Sequence, residues 1–169
     1  MPARRFSATS APLIVDVLDG IFESMVSACR NSHRKETGGI LVGRYLKKGT
    51  IAEILEALSP PVDSVETTST FHRGTSGLSK ELTSRWAKTG SHYVGEWHYH
   101  TTGNGHPSYR DITQMIDFAR EEDMQSPVPI MVIVFPSGCD QYEMRVFLFT
   151  QDGRTLELNS TLEKQGEGQ

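Results

Sequence analysis

The feature that most limits the possible folds of this 169-residue chain is a continuous apolar run near its C-terminal end, residues 130–135 (IMVIVF). Six apolar residues in succession, without the alternation of a half-buried strand, are typical of a central strand covered on both faces. Such a strand needs neighbours on both edges and other elements above and below the sheet. The run therefore predicts a sheet with helices packed against it.

Hydrophobic periodicity and turn signals predict the elements around this strand. Helices are expected at residues 13–32, around 78–86 and at 109–122. Further strands are expected at residues 40–46, 51–58, 92–101, 142–150 and 155–158. Residues 59–76 are rich in Ser, Thr and Pro and predict a long loop, of the kind that often carries function. This order predicts the α/β (mixed α+β) class.

The length of the chain allows one compact domain with a single hydrophobic core. A twin arginine, Arg4-Arg5, stands near the start, but polar residues interrupt the apolar stretch that an export signal would need. No apolar run approaches the length of a membrane span. We expect residues 1–10 to be a flexible tail, 11–160 to be the domain and 161–169 to be a second flexible tail.

Charge and cysteine content exclude several classes of partner. The net charge is -4 and no Lys/Arg run is present, which argues against nucleic-acid binding. Cys29 and Cys139 are far apart and lack the CxxC spacing of a metal or redox motif. Two such thiols are compatible with a reducing compartment. We therefore expect a cytoplasmic protein with neither nucleic acid nor membrane as a partner.

Two histidines on one predicted strand suggest metal chemistry. Side chains alternate along a strand, so His98 and His100 project from the same face and can bind one ion together. Ser108 and Asp111 stand three residues apart at a predicted helix start and share one side of its first turn. Asp111 is therefore well placed as a third ligand.

Other interpretations of these residues stay open at this point. A His-x-His pair on a strand occurs by chance, and Ser108-x-x-Asp111 resembles a helix-capping box with Asp in place of Glu or Gln. His106 follows a flexible segment and is an alternative third ligand. Glu96 shares the strand face of the histidines, where it either orients a ligand or is an exposed carboxylate. Together with Glu36 at a helix–strand junction, the pattern favours a functional site.

The spacing of these residues resembles a known signature. The pattern Glu…His-x-His-x(7)-Ser-x(2)-Asp, the JAMM motif of JAB/MPN metalloproteases, is met at five positions: Glu36, His98, His100, Ser108 and Asp111. Residues 35–43 (KETGGILVG) resemble the family's ETGGILLG segment, and residues 93–98 (YVGEWH) resemble the strand that enters the site in stand-alone prokaryotic members. The resemblance covers roughly residues 13–150.

The chain departs from the usual His-Ser-His-Pro of this family at Tyr99 and Thr101. Neither position supplies a ligand, so the departures concern only the mouth of the cleft. The segment after the last ligand also lacks the long insertion with which eukaryotic members grip ubiquitin.

The resemblance implies a fold, a cofactor and residue roles. The fold would be a JAB/MPN-like mixed, curved β-sheet packed between helices. One Zn²⁺ per chain would be held by His98, His100 and Asp111, with an open fourth position. Glu36 would be the general base, and the Ser108 hydroxyl would stabilise the oxyanion.

The implied function is that of a deubiquitinase-like isopeptidase or peptidase. It would cleave after the C-terminal glycine of a ubiquitin-like protein, either from a conjugate or from a precursor, in a bacterial antiphage system such as CBASS. Its partners would include ubiquitin-activating-like and conjugating-like enzymes or a nucleotidyltransferase. The alternatives are a peptidase that matures a sulfur-carrier tail and a non-catalytic MPN scaffold.

Two segments are candidates for contacting the substrate tail. The segment 65–75 is long and contains several β-branched residues. The backbone at Thr68 and Thr70 is therefore expected to form an edge to which an extended peptide can hydrogen-bond. Residues 102–105 are expected to close over the tail, with Gly103 and Gly105 as hinges.

Overall fold

The predicted central strand lies within a closed eight-stranded barrel. The computed structural model describes residues 3–122 and 126–161. Its strands are β1 (Ala3–Ser7), β2 (Ile14–Leu18), β3 (Gly38–Leu46), β4 (Ile51–Ala57), β5 (Val65–Glu66), β6 (Phe71–His72), β7 (His92–Tyr99), β8 (Ile130–Gly138), β9 (Gln141–Phe149) and β10 (Thr155–Thr161). Its helices are α1 (Asp19–Asn31), α2 (Leu78–Thr89) and α3 (Tyr109–Arg120).

The barrel runs in the order β1-β10-β9-β8-β7-β3-β4-β2 and closes between β2 and β1. Two pairs, β2 with β4 and β7 with β8, are parallel, and the others are antiparallel. The short strands β5 and β6 form a separate hairpin within the long loop. The predicted mixed, curved sheet is confirmed, and its curvature is complete enough to leave no open edge.

Strand β8 is buried on both faces, as its composition predicts. Val132 and Val134 belong to the largest core cluster, which they share with α1, whereas Met131 and Ile133 pack with Met115 of α3 on the other face. A smaller cluster packs β3 and β7 against α2. The three helices therefore cover the sheet and bring the start of α3 next to the end of β7.

Residues Ala3–Ser7 form a strand, which corrects the expectation of a flexible tail over residues 1–10 for the part that the structure describes. Strand β1 pairs with both β2 and β10, and its Phe6 is only 4% exposed. This segment is too short and too polar for periodicity to predict a strand. It becomes a strand because it pairs with the edges of β2 and β10, which are distant from each other in the sequence. The expected tail at 161–169 lies outside the described residues, except for Thr161, which ends β10.

The helix expected at residues 13–32 begins later than predicted. Residues Ile14–Leu18 form β2, and α1 covers only Asp19–Asn31. Val15 and Val17 are fully buried, and Asp16 between them is half-buried and paired with Arg5. Their apolar spacing also fits a helix, but β-branched residues favour a strand, and the edges of β1 and β4 are available to pair with it.

The remaining helices and strands are confirmed with boundaries shifted by a few residues. Both cysteines are free thiols, Cys29 buried and Cys139 exposed, and burial raises the pKa of Cys29 to about 12. No helix within the described ranges combines the length and the apolar character that crossing a bilayer requires.

Because β1 closes the barrel, we predict that Phe6→Ala lowers the free energy of unfolding by about 3–5 kcal/mol, the usual cost of emptying a buried aromatic site. Val62→Ala, at a residue that is 95% exposed, is the control and should change it by less than about 0.5 kcal/mol. Chemical denaturation measures both variants. Equal stability of the two would mean that residues 3–7 do not contribute to the core.

Candidate active site and metal centre

One of the two histidines lies on a strand that is held on both edges, and the other comes directly after it. Strand β7 pairs with β3 on one side and with β8 on the other, and His98 faces Gly38 in the register. His98 is only 3% exposed, and His100 follows directly after the strand, where its amide donates to the Val134 carbonyl. The backbone that carries both imidazoles is therefore fixed by the barrel.

Gly38 permits the close approach of β3 to β7. A Cβ at this position would lie 2.2 Å from the Trp97 carbonyl oxygen and 2.9 Å from the His98 ring. Any side chain here would push β3 away from β7. The glycine therefore sets how near the segment carrying Glu36 comes to His98.

Asp111 comes from the first turn of α3, which begins with a capping box. The Ser108 hydroxyl accepts from the Asp111 amide at 3.2 Å, and the Asp111 carboxylate accepts from the Ser108 amide at 2.7 Å. The Ser108 hydroxyl also donates to Asp111 Oδ2 at 2.7 Å. The capping interpretation of this pair is thus confirmed, and the cap points the carboxylate towards the histidines.

The carboxylate of Asp111 lies between the two imidazoles. Its Oδ1 is 2.9 Å from His98 Nδ1, and its Oδ2 is 3.2 Å from His100 Nε2. The three donor atoms lie within 4.8 Å of one another. Ligands on a tetrahedral zinc with bonds of about 2.1 Å lie about 3.4 Å apart. The donor set and its spacing therefore fit a three-ligand metal site.

Burial and mutual charge shift the pKa values at this cluster. Burial opposes ionisation of Asp111, but hydrogen bonds from both histidines and Ser108 outweigh it and hold its pKa well below the usual value. Burial also opposes protonation of His100, yet the hydrogen bond and charge of Asp111 raise the pKa of His100. The cluster thus keeps the Asp111 carboxylate ionised, the form in which a carboxylate binds a metal ion.

Glu36 stands at the junction between α1 and β3, half-buried. Its amide donates to the Thr67 carbonyl at 2.7 Å, so the long loop holds its backbone. Burial raises the pKa of its carboxyl, opposed by the charge of His100 and reinforced by that of Asp111. These electrostatic interactions tie Glu36 to the cluster, although it is not one of the three convergent donors.

The predicted substrate-edge residues lie in the turn of the β5–β6 hairpin. The Thr70 amide donates to Thr67 Oγ1 at 2.9 Å, and the Thr70 carbonyl accepts from the Thr67 amide. The Thr68 carbonyl accepts from the hydroxyl of Thr101, next to His100. The backbone of Thr70 is therefore used inside the hairpin, whereas Thr68 lies against the segment that follows β7.

The segment 102–105 is less free than its glycines suggest. Gly103 is exposed with a φ of 94°, but Gly105 is buried, and a Cβ there would lie 2.2 Å from the Phe135 ring. The Asn104 carbonyl accepts from Arg145 at 2.7 Å. Gly105 is therefore packed against Phe135, and its role as a hinge stays a prediction.

The structure shows the positions of two residues, His106 and Glu96, whose roles the sequence left open. His106 is exposed and outside the donor cluster found among the described residues, although its backbone contributes to the raised pKa of His100. Glu96 is fully buried, so the exposed-carboxylate interpretation is wrong. Its carboxylate accepts from Arg73. Arg73 was missed because nothing in the local pattern of a polar loop indicates a partner 23 residues away.

Comparison with known proteins identifies the family. The model of the family described as prokaryotic homologs of the JAB domain matches residues 19–150. The chain belongs to this family. It is 36% identical over 157 residues to a CD-NTase/cGAS isopeptidase of Enterobacter hormaechei subsp. hoffmannii (strain UCI 50), covering 93% of this chain and 87% of that protein.

A solved structure supports the fold of this JAB-family chain. The solution structure of a protein from Desulfitobacterium hafniense superposes with a TM-score of 0.57, at 17% sequence identity, over 86% of this chain and 88% of that one. At this identity the likeness concerns the fold alone.

The cluster geometry predicts which variants lose metal. Asp111→Ala should weaken zinc binding by at least about 100-fold, because it removes a donor that touches both histidines. His106→Ala should leave the affinity nearly unchanged, because its side chain is exposed and outside the donor cluster. Titration with zinc measures both.

Since Asp111 is also part of the cap, Ser108→Ala is the matched control. It should cost about 1 kcal/mol of stability, as cap removal usually does, and still bind zinc. If His106→Ala lost zinc while Asp111→Ala kept it, the three-histidine alternative would be correct and Asp111 would be a cap only.

Proposed function

We propose that this chain is a zinc-dependent isopeptidase that cleaves after the C-terminal glycine of a ubiquitin-like protein. The observation that carries the proposal is the convergence of His98, His100 and Asp111 beside Glu36. Its family, and a relative named CD-NTase/cGAS isopeptidase that is 36% identical over nearly the whole chain, support the same activity.

Two nitrogen donors and one carboxylate are the ligand set of a catalytic zinc, since three protein ligands keep a fourth position open. A structural zinc site would instead close the shell with a fourth side chain. We therefore propose one zinc per chain, held by His98, His100 and Asp111. When bound, zinc would supply a Lewis acid and a water of lowered pKa.

Glu36 and Ser108 carry the remaining chemical steps in this proposal. Glu36 takes the proton of the attacking water and returns it to the leaving amine as the carbon–nitrogen bond breaks. Its raised pKa suits a group that must accept and then release a proton. The Ser108 hydroxyl, exposed at the start of α3, turns from Asp111 towards the oxyanion that forms on the substrate carbonyl.

An extended, glycine-ended tail fits the surroundings of these groups. The β5–β6 hairpin runs past Glu36, and the Thr68 carbonyl in its turn accepts from Thr101, just after the end of β7. We propose that Thr68 and Gly103 line the path of the tail, while Thr70 and Gly105 keep their own segments in place. A thin tail enters this path, and the folded body of the ubiquitin-like protein docks outside.

The name of the relative suggests the substrate class within this proposal. A CD-NTase is a nucleotidyltransferase, and we propose that this chain releases such a protein, or a ubiquitin-like partner, from a lysine conjugate. The conjugate would be made by ubiquitin-activating-like and conjugating-like enzymes of an antiphage system. The complete donor set argues against a purely non-catalytic scaffold.

We predict that Glu36→Gln retains about one zinc per chain and the stability of the wild type but loses at least about 100-fold in cleavage rate, because the general base is removed without changing shape. Glu23→Gln, an exposed change on α1, is the control and should keep the full rate. Metal analysis and single-turnover cleavage measure these properties. Near-native turnover of Glu36→Gln would exclude Glu36 as the base.

A further inference from the structure

A buried ion pair joins the long loop to β7. Arg73 follows β6, and Glu96 lies in β7, two residues before His98 and on the same face of the strand. Arg73 Nε donates to both carboxylate oxygens of Glu96, at 2.9 and 2.8 Å. The two side chains are only 9% and 1% exposed. This is the most deeply buried charge pair outside the candidate metal centre among the described residues.

Additional partners fix the orientation of both groups. Arg73 Nη1 donates to the Gly74 carbonyl at 2.8 Å, and the guanidinium lies 5.8 Å from the Phe118 ring of α3. The Tyr93 hydroxyl donates to Glu96 Oε1 at 3.3 Å. A buried pair held by directional hydrogen bonds allows one placement of the loop, whereas an apolar contact would tolerate sliding.

The loop segment fixed by this pair reaches three parts of the site. Phe71, two residues before Arg73, meets the His98 ring edge-on with the ring centres 5.1 Å apart. The Thr67 carbonyl accepts from the Glu36 amide at 2.7 Å, and the Glu66 carboxylate accepts from the Thr37 hydroxyl. The base of the loop is closed separately, by the Asp63 carboxylate, which accepts from the amides of residues 75 and 76.

We propose that Arg73 and Glu96 are positioning residues: through the β5–β6 hairpin, their ion pair holds the backbone of Glu36 in its working place relative to the metal ligands. Neither residue touches the substrate or the metal in this account. The inference rests on the proposed function for its catalytic consequence, but the placement of Glu36 is a property of the fold and can be measured without activity.

The positioning role can be separated from stability. Replacing both members of a buried ion pair by apolar residues of similar volume is often neutral or stabilising, whereas removing one member leaves a buried charge unpaired. The informative variant is therefore the double change Arg73→Met with Glu96→Met. This double change keeps about the same total side-chain volume and removes the hydrogen-bonded ion pair.

The double variant should fold and bind zinc like the wild type. The Glu36 amide should exchange hydrogen at least about 10-fold faster, because the Thr67 carbonyl of the hairpin that protects it is no longer held in one position. Its kcat/KM on a ubiquitin-like conjugate should fall by at least about 10-fold, since small displacements of a catalytic group are costly. Hydrogen-exchange mass spectrometry and steady-state kinetics measure these effects.

Arg85→Met with Glu56→Met is the matched control. This pair also joins two elements, α2 and β4, with contacts of 3.0 and 2.9 Å, but it does not contact the hairpin. The exchange rate of the Glu36 amide and kcat/KM should both stay within about twofold of the wild-type values, because ion pairs near the surface contribute little to stability.

If the double methionine variant does not fold, Arg73→Lys tests the positioning role instead. Lysine keeps the positive charge but lacks the planar set of hydrogen-bond donors of the guanidinium. This variant should show faster exchange at Glu36 and a lower kcat/KM. Wild-type exchange and wild-type kcat/KM in a folded, zinc-loaded variant would overturn the positioning role. An inactive wild type would instead refute the proposed function, and the exchange measurement would still decide this inference.

Discussion

Strand β7 is hydrogen-bonded along both edges, and the geometry of the candidate site depends on this constraint. A strand inside a closed barrel cannot shift its register without moving its neighbours, so His98 and His100 are held on a rigid support. The groups that meet them come from elements packed against this strand. Gly38 lets β3 approach, α3 presents Asp111, and the long loop supports the Glu36 backbone.

Asp111 combines a structural and a proposed chemical role. As the third residue of α3 it completes the capping box, and its carboxylate lies between the two imidazoles. A cap alone would leave the carboxylate facing water, but here it is 6% exposed. The helix start therefore orients the group that the proposed zinc would bind. A capping interpretation of such a motif does not exclude a ligand interpretation, because one carboxylate has two oxygens.

Much of the fold and of the site could be predicted from local patterns, and the remainder depends on distant contacts. The run at residues 130–135 correctly predicted a strand buried on both faces. Alternation along β7 predicted that His98 and His100 share one face, and the Asp111 carboxylate lies within hydrogen-bonding distance of both imidazoles. Strand β1 was missed, because its partners are β2 and β10 and its own sequence is mostly polar. The Arg73–Glu96 pair was missed for the same reason, since it joins a loop to a strand across 23 positions.

The central claim is that this site hydrolyses the bond after a glycine-ended tail, and intact-mass spectrometry of the products tests it most directly. A ubiquitin-like protein joined through its terminal glycine to a lysine is incubated with zinc-loaded protein. The account predicts two products, the ubiquitin-like protein with a free terminal glycine and the target with an unmodified lysine, and no products when a chelator is present. Cuts scattered through unfolded peptides, or the same products in the presence of chelator, would contradict it.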